Sequence, residues 1–184
     1  MTVRPAVPGD ARRIEEIRVA GWHHAYAGIL DADWLAGFVV TEQRIQNWAD
    51  RIESPTPAAV LLVAEVIGVV RGFAVAHGSR DDDLPDTWEL AALYVDPGAL
   101  RQGLGSALLS AALAGNEQPQ LLWVLEGNAG ARQFYERHGF SWDGTRKLLD
   151  RAGDVPELRY RREPLRAATP VATAAWPTKS SPSP

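Results

Sequence analysis

Trp88-Glu89-Leu90-Ala91-Ala92-Leu93-Tyr94-Val95-Asp96-Pro97 is followed by Gly98-Ala99-Leu100-Arg101-Gln102-Gly103-Leu104-Gly105 and then by Ser106-Ala107-Leu108-Leu109. An apolar run of strand length stops at Asp96-Pro97, crosses a glycine-rich loop and enters an Ala/Leu-rich helix. Such a turn aims unpaired backbone N–H groups, and the positive end of a helix dipole, at one point beyond the strand. That is a cradle for a phosphate group.

Two familiar glycine patterns fail here at defining positions. A P-loop needs Gly-Lys-Ser/Thr after its spacer; Gly98 and Gly103 have the separation, but Leu104-Gly105 follow. The dinucleotide fingerprint needs a third glycine or alanine, and Leu108 stands there. What remains is a Gly-x-Gly loop behind a basic and amide pair, Arg101-Gln102, suited to a pyrophosphate held without metal.

This segment resembles motif A of the GNAT superfamily of acyl-CoA-dependent N-acetyltransferases, Gln/Arg-x-x-Gly-x-Gly/Ala after a strand ending in Val-x-Pro. Gly103 and Gly105 match the two glycines, while Leu100 replaces the Gln/Arg, a departure that Arg101 or Gln102 would have to cover. A second block, Asn128-Ala129-Gly130-Ala131-Arg132-Gln133-Phe134-Tyr135-Glu136-Arg137-His138-Gly139-Phe140, is similar to the family's Asn-x-x-Ala…Phe-Tyr-Glu…Gly-Phe helix. Together they extend the resemblance over roughly residues 2–162.

Composition sets the outer bounds. The 184 residues suffice for one domain with a proper core. Hydrophobic and charged contents of 46% and 23% are those of an ordinary globular protein. A net charge of −4 argues against a nucleic-acid partner. No apolar run reaches membrane-spanning length and no signal-peptide core is present, so no membrane partner is expected. The absence of cysteine excludes disulfides, thiolate metal sites and a cysteine acyl-enzyme. Cytoplasmic residence is the expectation.

From the start, Thr2–Pro5 reads as a strand, and Pro8-Gly9-Asp10 opens a helix with Ile14, Ile17 and Val19 on its apolar side, broken at Gly28. Asp31 caps a short helix through Trp34, Leu35 and Phe38, and Thr41-Glu42 starts another that Ser54-Pro55 ends. Ala59–Val66, Val69–His77 and Thr87–Val95 form an antiparallel meander. Gln120–Leu125 is a buried strand, Asn128–His138 a helix, and Phe140–Leu149 with Val155–Arg161 a closing strand pair. The class is α/β. The resemblance implies a mixed, mostly antiparallel central sheet with a splayed parallel strand pair and helices on both faces. One N-acetyltransferase domain over residues 1–166 precedes a Pro/Ala/Ser/Thr-rich tail, 167–184, flexible by composition, whose only large apolar residue, Trp176, is a candidate to dock on the body or on a neighbour.

The resemblance also implies a mechanism: acetyl-CoA as cosubstrate, no metal, and direct transfer to an amine in a ternary complex. The cofactor would lie against Leu93, Tyr94, Val95, Arg101, Gln102, Gly103, Leu104, Gly105, Ser106 and Asn128. Tyr135 falls on the family's tyrosine that protonates the departing thiolate; by periodicity alone it is equally a core aromatic, sharing a face with Ala131, Phe134 and His138. Glu89, six residues before Val95, falls on the general base of histone-modifying branches. Strand alternation puts Glu89, Ala91, Leu93 and Val95 on one side; the plainer reading is an exposed strand-end carboxylate. Asn128 caps its helix in either reading. Trp22 and Tyr26 lie where the family walls its acceptor pocket, and core packing is the alternative. The neighbouring His23 and His24 point about 100° apart on a helix, poor metal geometry. Asp81-Asp82-Asp83 reads as a solvated loop, or as a lure for a cationic acceptor. The acceptor is a small-molecule or peptide amine, and family habit implies a homodimer. A non-catalytic acyl-CoA-binding sensor or partner module is the rival, favoured by Leu100.

Overall fold

The computed structural model describes residues 1–56, 59–149 and 153–163. The proposed tail, 167–184, lies outside the described residues, as does its Trp176. Seven strands form one sheet in the order β1-β2-β3-β4-β5-β7-β6. They are β1 (Thr2–Pro5), β2 (Val60–Val66), β3 (Val69–Gly78), β4 (Trp88–Val95), β5 (Gln120–Leu125), β6 (Ser141–Leu149) and β7 (Val155–Arg162). The helices are α1 (Ala11–Tyr26), α2 (Ala32–Ala36), α3 (Glu42–Glu53), α4 (Leu104–Leu113) and α5 (Ala129–Arg137).

Local chemistry sets the helix limits. The Asp31, Thr41 and Asn128 side chains accept hydrogen bonds from the backbone amides of Trp34, Arg44 and Ala131, capping α2, α3 and α5. At the start of α4, Gly103 takes φ +82°, which a side chain would resist.

Both faces of the sheet are covered. Leu104, Leu108 and Leu109 of α4 pack with Leu90, Leu122, Val124 and Phe140 on one face. On the other, Ile14 and Ile17 of α1 meet Val63, Phe73 and Val75. A third cluster joins Trp22, Leu30, Leu35 and Leu125 under α2.

Two irregularities create the site. All neighbours pair antiparallel except β4 and β5, which run parallel and share only Trp88↔Gln120 and Glu89↔Leu121. Beyond that the two strands diverge, β4 following β3 and β5 following β7. A bulge in β4 accompanies the divergence: Ala76 pairs with Leu90 and Val75 with Ala92, so Ala91 is extra. A bulge bends its strand and raises local twist, steering β4 away from β5.

Candidate active site

At the end of β4, Asp96 organises the glycine-rich loop. One carboxylate oxygen accepts the Gly98 amide at 3.0 Å; the other pairs with Arg71 at 3.0 Å and with Arg13. Burial pushes this carboxyl up, but those hydrogen bonds and cations outweigh it and leave it below the usual range. The loop then turns through positive φ at Arg101 (60°) and Gly103 (82°). Among the described residues, no protein group accepts the amides of Gly103, Leu104, Gly105 and Ser106. Arg101 and Gln102 are exposed beside them. Gly105 is tight for a different reason, since a Cβ there would lie 3.4 Å from the Phe134 ring of α5. Ser106 Oγ is 3.0 Å from His138 Nε2, whose Nδ1 lies 2.8 Å from the Phe134 carbonyl. A carbonyl only accepts, so Nδ1 carries a proton toward the Phe134 oxygen.

Below the loop the fork between β4 and β5 is open, and three phenols converge on it. Tyr135, half-buried on α5, approaches from the α4 face, its ring edge-on to Phe134 and Phe140. Burial, reinforced by the nearby Tyr94 phenol, pushes its hydroxyl above the ordinary tyrosine range. Tyr94 projects from the opposite face, where its hydroxyl accepts the Trp22 indole N–H at 2.7 Å and hydrogen-bonds to Tyr26. Burial, then Tyr94, Tyr135 and Glu157, push Tyr26 well above its usual value. Leu93 and Val95 pair with Ala74 and Gly72 of β3 and, among the described residues, have no strand on their other side.

Glu89 corrects a sequence expectation. The extra residue at Ala91 reverses the alternation, so Leu93 and Val95 pack on the α4 face while Tyr94 and Ala92 pack on the α1 face. Glu89 is on the Tyr94 side, not beside Leu93 and Val95. Nor is it an exposed strand end: it is 5% exposed and held by Arg80 at 2.9 and 3.3 Å. Burial pushes its carboxyl up; Arg80, with His77 helping, more than reverses this and leaves it ionised below the usual range.

Trp22, Tyr26, Glu89 and Tyr94 line a cavity of about 620 Å³ on the α1 face, together with Arg80, Asp81, Trp123, Lys147 and Glu157. Asp82 and Asp83 of the acidic link are exposed, as a solvated loop should be, but the link is tied down. Asp81 and Asp83 bond to buried Arg159, at 3.2 and 2.7 Å, as does Asp143 at 2.7 Å. Asp82 alone of the triplet stays exposed without a carboxylate contact to that guanidinium. Arg80, Trp123, Lys147 and Glu157 were not singled out as pocket residues from sequence. The available signal was parity: Trp123, Glu157 and Lys147 occupy same-face positions on three strands that pair only in the fold. Among the described residues, no group of three or more His, Asp or Glu gathers as a metal site, and no helix is long and apolar enough to cross a membrane.

The sequence and the fold both have known relatives. Residues 22–140 match the Acetyltransferase (GNAT) family. A probable N-acetyltransferase of Mycobacterium tuberculosis is 30% identical over 169 residues, which is 86% of this chain and 91% of the relative. Mycothiol acetyltransferase of a Mycobacterium species (strain MCS) is 30% identical over 146 residues, 72% of this chain but 43% of that protein. In fold, PaiA N-acetyltransferase from Thermoplasma acidophilum, crystallised in complex with coenzyme A, superposes with a TM-score of 0.68 at 19% identity, covering 88% of this chain and 98% of that one. Ribosomal-protein-alanine N-acetyltransferase from Brucella melitensis gives 0.67 at 22% identity, covering 89% and 99%. The chain belongs to the GNAT acetyltransferase family.

Proposed function

We propose that the protein moves an acetyl group from acetyl-CoA to a primary amine, directly, with both substrates bound at once. The observation that carries this is the open fork between β4 and β5, leading from the unpaired amides of Gly103–Ser106 to the Tyr135 phenol. The amides and the helix terminus receive the pyrophosphate, with Arg101 supplying positive charge. The thiol arm lies along Leu93–Val95, replacing the rungs that β5 does not make, and meets Asn128 at the start of α5. A backbone N–H of that stretch polarises the thioester carbonyl.

The acceptor enters from the cavity on the α1 face, past Trp22 and Tyr26. Its nitrogen attacks the carbonyl carbon; the C–N bond forms as the C–S bond breaks. Tyr135 gives its proton to the departing thiolate, and a phenol raised above its usual range is fully protonated for this duty. The surplus amine proton leaves through water toward Glu89. Held below the usual carboxyl range, Glu89 is a weak base, better suited to receive a relayed proton than to pull one directly.

The test combines acetyl-CoA with a panel of amines and follows release of free thiol. Turnover is expected with some members, alongside thermal protection by acetyl-CoA that ATP and NAD do not give. Protection without turnover of any amine would favour the sensor reading, for which Leu100 speaks. No protection at all would overturn the cofactor assignment.

A further inference from the structure

The polarity of the acceptor cavity narrows the class of amine it takes. Glu89 is matched by Arg80, and Asp81 by Arg159. Lys147 is different. Among the described residues no carboxylate pairs with it; instead its ammonium stands 3.6 Å from the centroid of the Trp123 ring. A cation–π contact holds a charge in place without neutralising it. The platform is itself fixed, because the Trp123 indole N–H donates to Asp81 at 3.1 Å. Directly across the β6–β7 ladder from Lys147 is Glu157, which lines the same cavity and is close enough to act on the Tyr26 phenol. A cation and an anion therefore stand side by side next to the fork.

Resting on the transferase reading above, we propose that the acceptor is an amino acid. Lys147, on its indole seat, binds the carboxylate, and the amine turns toward Glu157, Tyr26 and the thioester. A polyamine or an aminoglycoside-like polycation would bring like charge against Lys147. A free peptide N-terminus, its α-carboxyl tied up in an amide bond, would offer it no carboxylate nearby.

The full chain with saturating acetyl-CoA is assayed on matched pairs: L-leucine and isoamylamine, L-phenylalanine and phenethylamine, L-lysine and cadaverine, each at equal free-amine concentration. For at least one pair, kcat/KM for the amino acid should exceed that for its decarboxylated partner by about 10- to 100-fold, the range for a hydrogen bond to a charged group, with the difference in KM. Lys147→Met keeps the stem over Trp123 and should erase the preference while leaving the acetyl-CoA KM unchanged; Lys147→Arg should keep it. A wild type that prefers the decarboxylated amines, or a Lys147→Met variant with the preference intact, overturns the assignment. A second readout needs no turnover: thermal protection of CoA-loaded protein by N-acetyl-L-leucine, -phenylalanine and -lysine against the matching N-acetyl amines. Lys147-dependent protection without turnover would sink the transferase reading and keep the anion site. Turnover without carboxylate preference would do the reverse, and absence of both would sink both.

Discussion

Tyr135 sits where its phenol is both shielded and within reach of the fork, with Tyr94 on the far side. Replacing it by Phe removes one oxygen and keeps the packing on Phe134 and Phe140. If it is the acid, kcat should fall by about 10²-fold or more, the usual contribution of a placed proton donor, with little change in the acetyl-CoA KM. The raised pKa carries its own prediction. A phenol shifted upward stays protonated at every pH below its ordinary value of 10.0. The alkaline limb of the kcat profile should therefore show no loss from this group until above that value; a fall near neutrality that Tyr135→Phe abolishes would contradict it. For Glu89, already ionised below the usual carboxyl range, a Gln variant should lower kcat without moving an ascending limb near neutrality, and an unchanged kcat would remove it from the proton path. At this scale the sequence was legible where local conformation depends on contiguous residues. The turn at Gly103 and the Asn128 cap, for instance, follow from neighbouring residues alone. The side on which Glu89 lies was not legible, because a single bulge at Ala91 inverts the parity of everything before it. Lys147 and Glu157 were hidden for another reason: they meet only once β5, β7 and β6 pair.

Helices and strands were easier to read than faces. Caps at Asp31, Thr41 and Asn128 mark their helices, and alternating or continuous apolar runs mark the strands. What sequence could not supply was the closeness of packing. A Cβ on Gly21 of α1 would lie 2.9 Å from the Tyr94 ring, so this glycine lets the helix lie flush against the phenol that bonds Trp22 and Tyr26. Gly21→Ala should displace that ring and raise the acceptor KM several-fold, while the acetyl-CoA KM stays put. Gly103→Ala should act in the opposite sense. Its φ of +82° costs a side chain about 1 kcal/mol, so the α4 terminus shifts and the acetyl-CoA KM rises, with acceptor selectivity retained.

Over the whole molecule, Arg159 is the tie between the link that leads into β4 and the β6–β7 hairpin. It is 5% exposed and bonded to Asp81, Asp83, Asp143 and Thr145. Removing the cation alone, as Leu, strands these carboxylates and should destabilise the fold by about 3 kcal/mol in chemical denaturation. Acid should act through the same tie. The Asp143 carboxyl is pushed up by burial, yet Thr145 and Arg159 bring it net below its usual value, and Arg159 lowers Asp83 likewise. A carboxyl lowered in the folded state stabilises at pH above its unfolded value near 3.9, and that stability is lost as pH falls through the folded value. Unfolding midpoints should thus drop steeply below about pH 4, and Asp143→Asn should start less stable at neutral pH and flatten that drop.

The sparse joint between β4 and β5 has a consequence for how the molecule could be divided. Two register pairs bridge it, and the rest of the joint is side-chain packing, with Leu104, Leu108 and Leu109 of α4 lying in one cluster with Leu90 of β4 and Leu122 and Val124 of β5. The sheet is thus two halves joined by few backbone rungs and by the side chains that α1, α2 and α4 pack across the joint, and the link at Gly115–Asn116 passes between the halves. A gene cut at that link should yield fragments that reassemble when co-expressed. The ligand that fills the gap should act as their mortar, so complementation should tighten as acetyl-CoA is added.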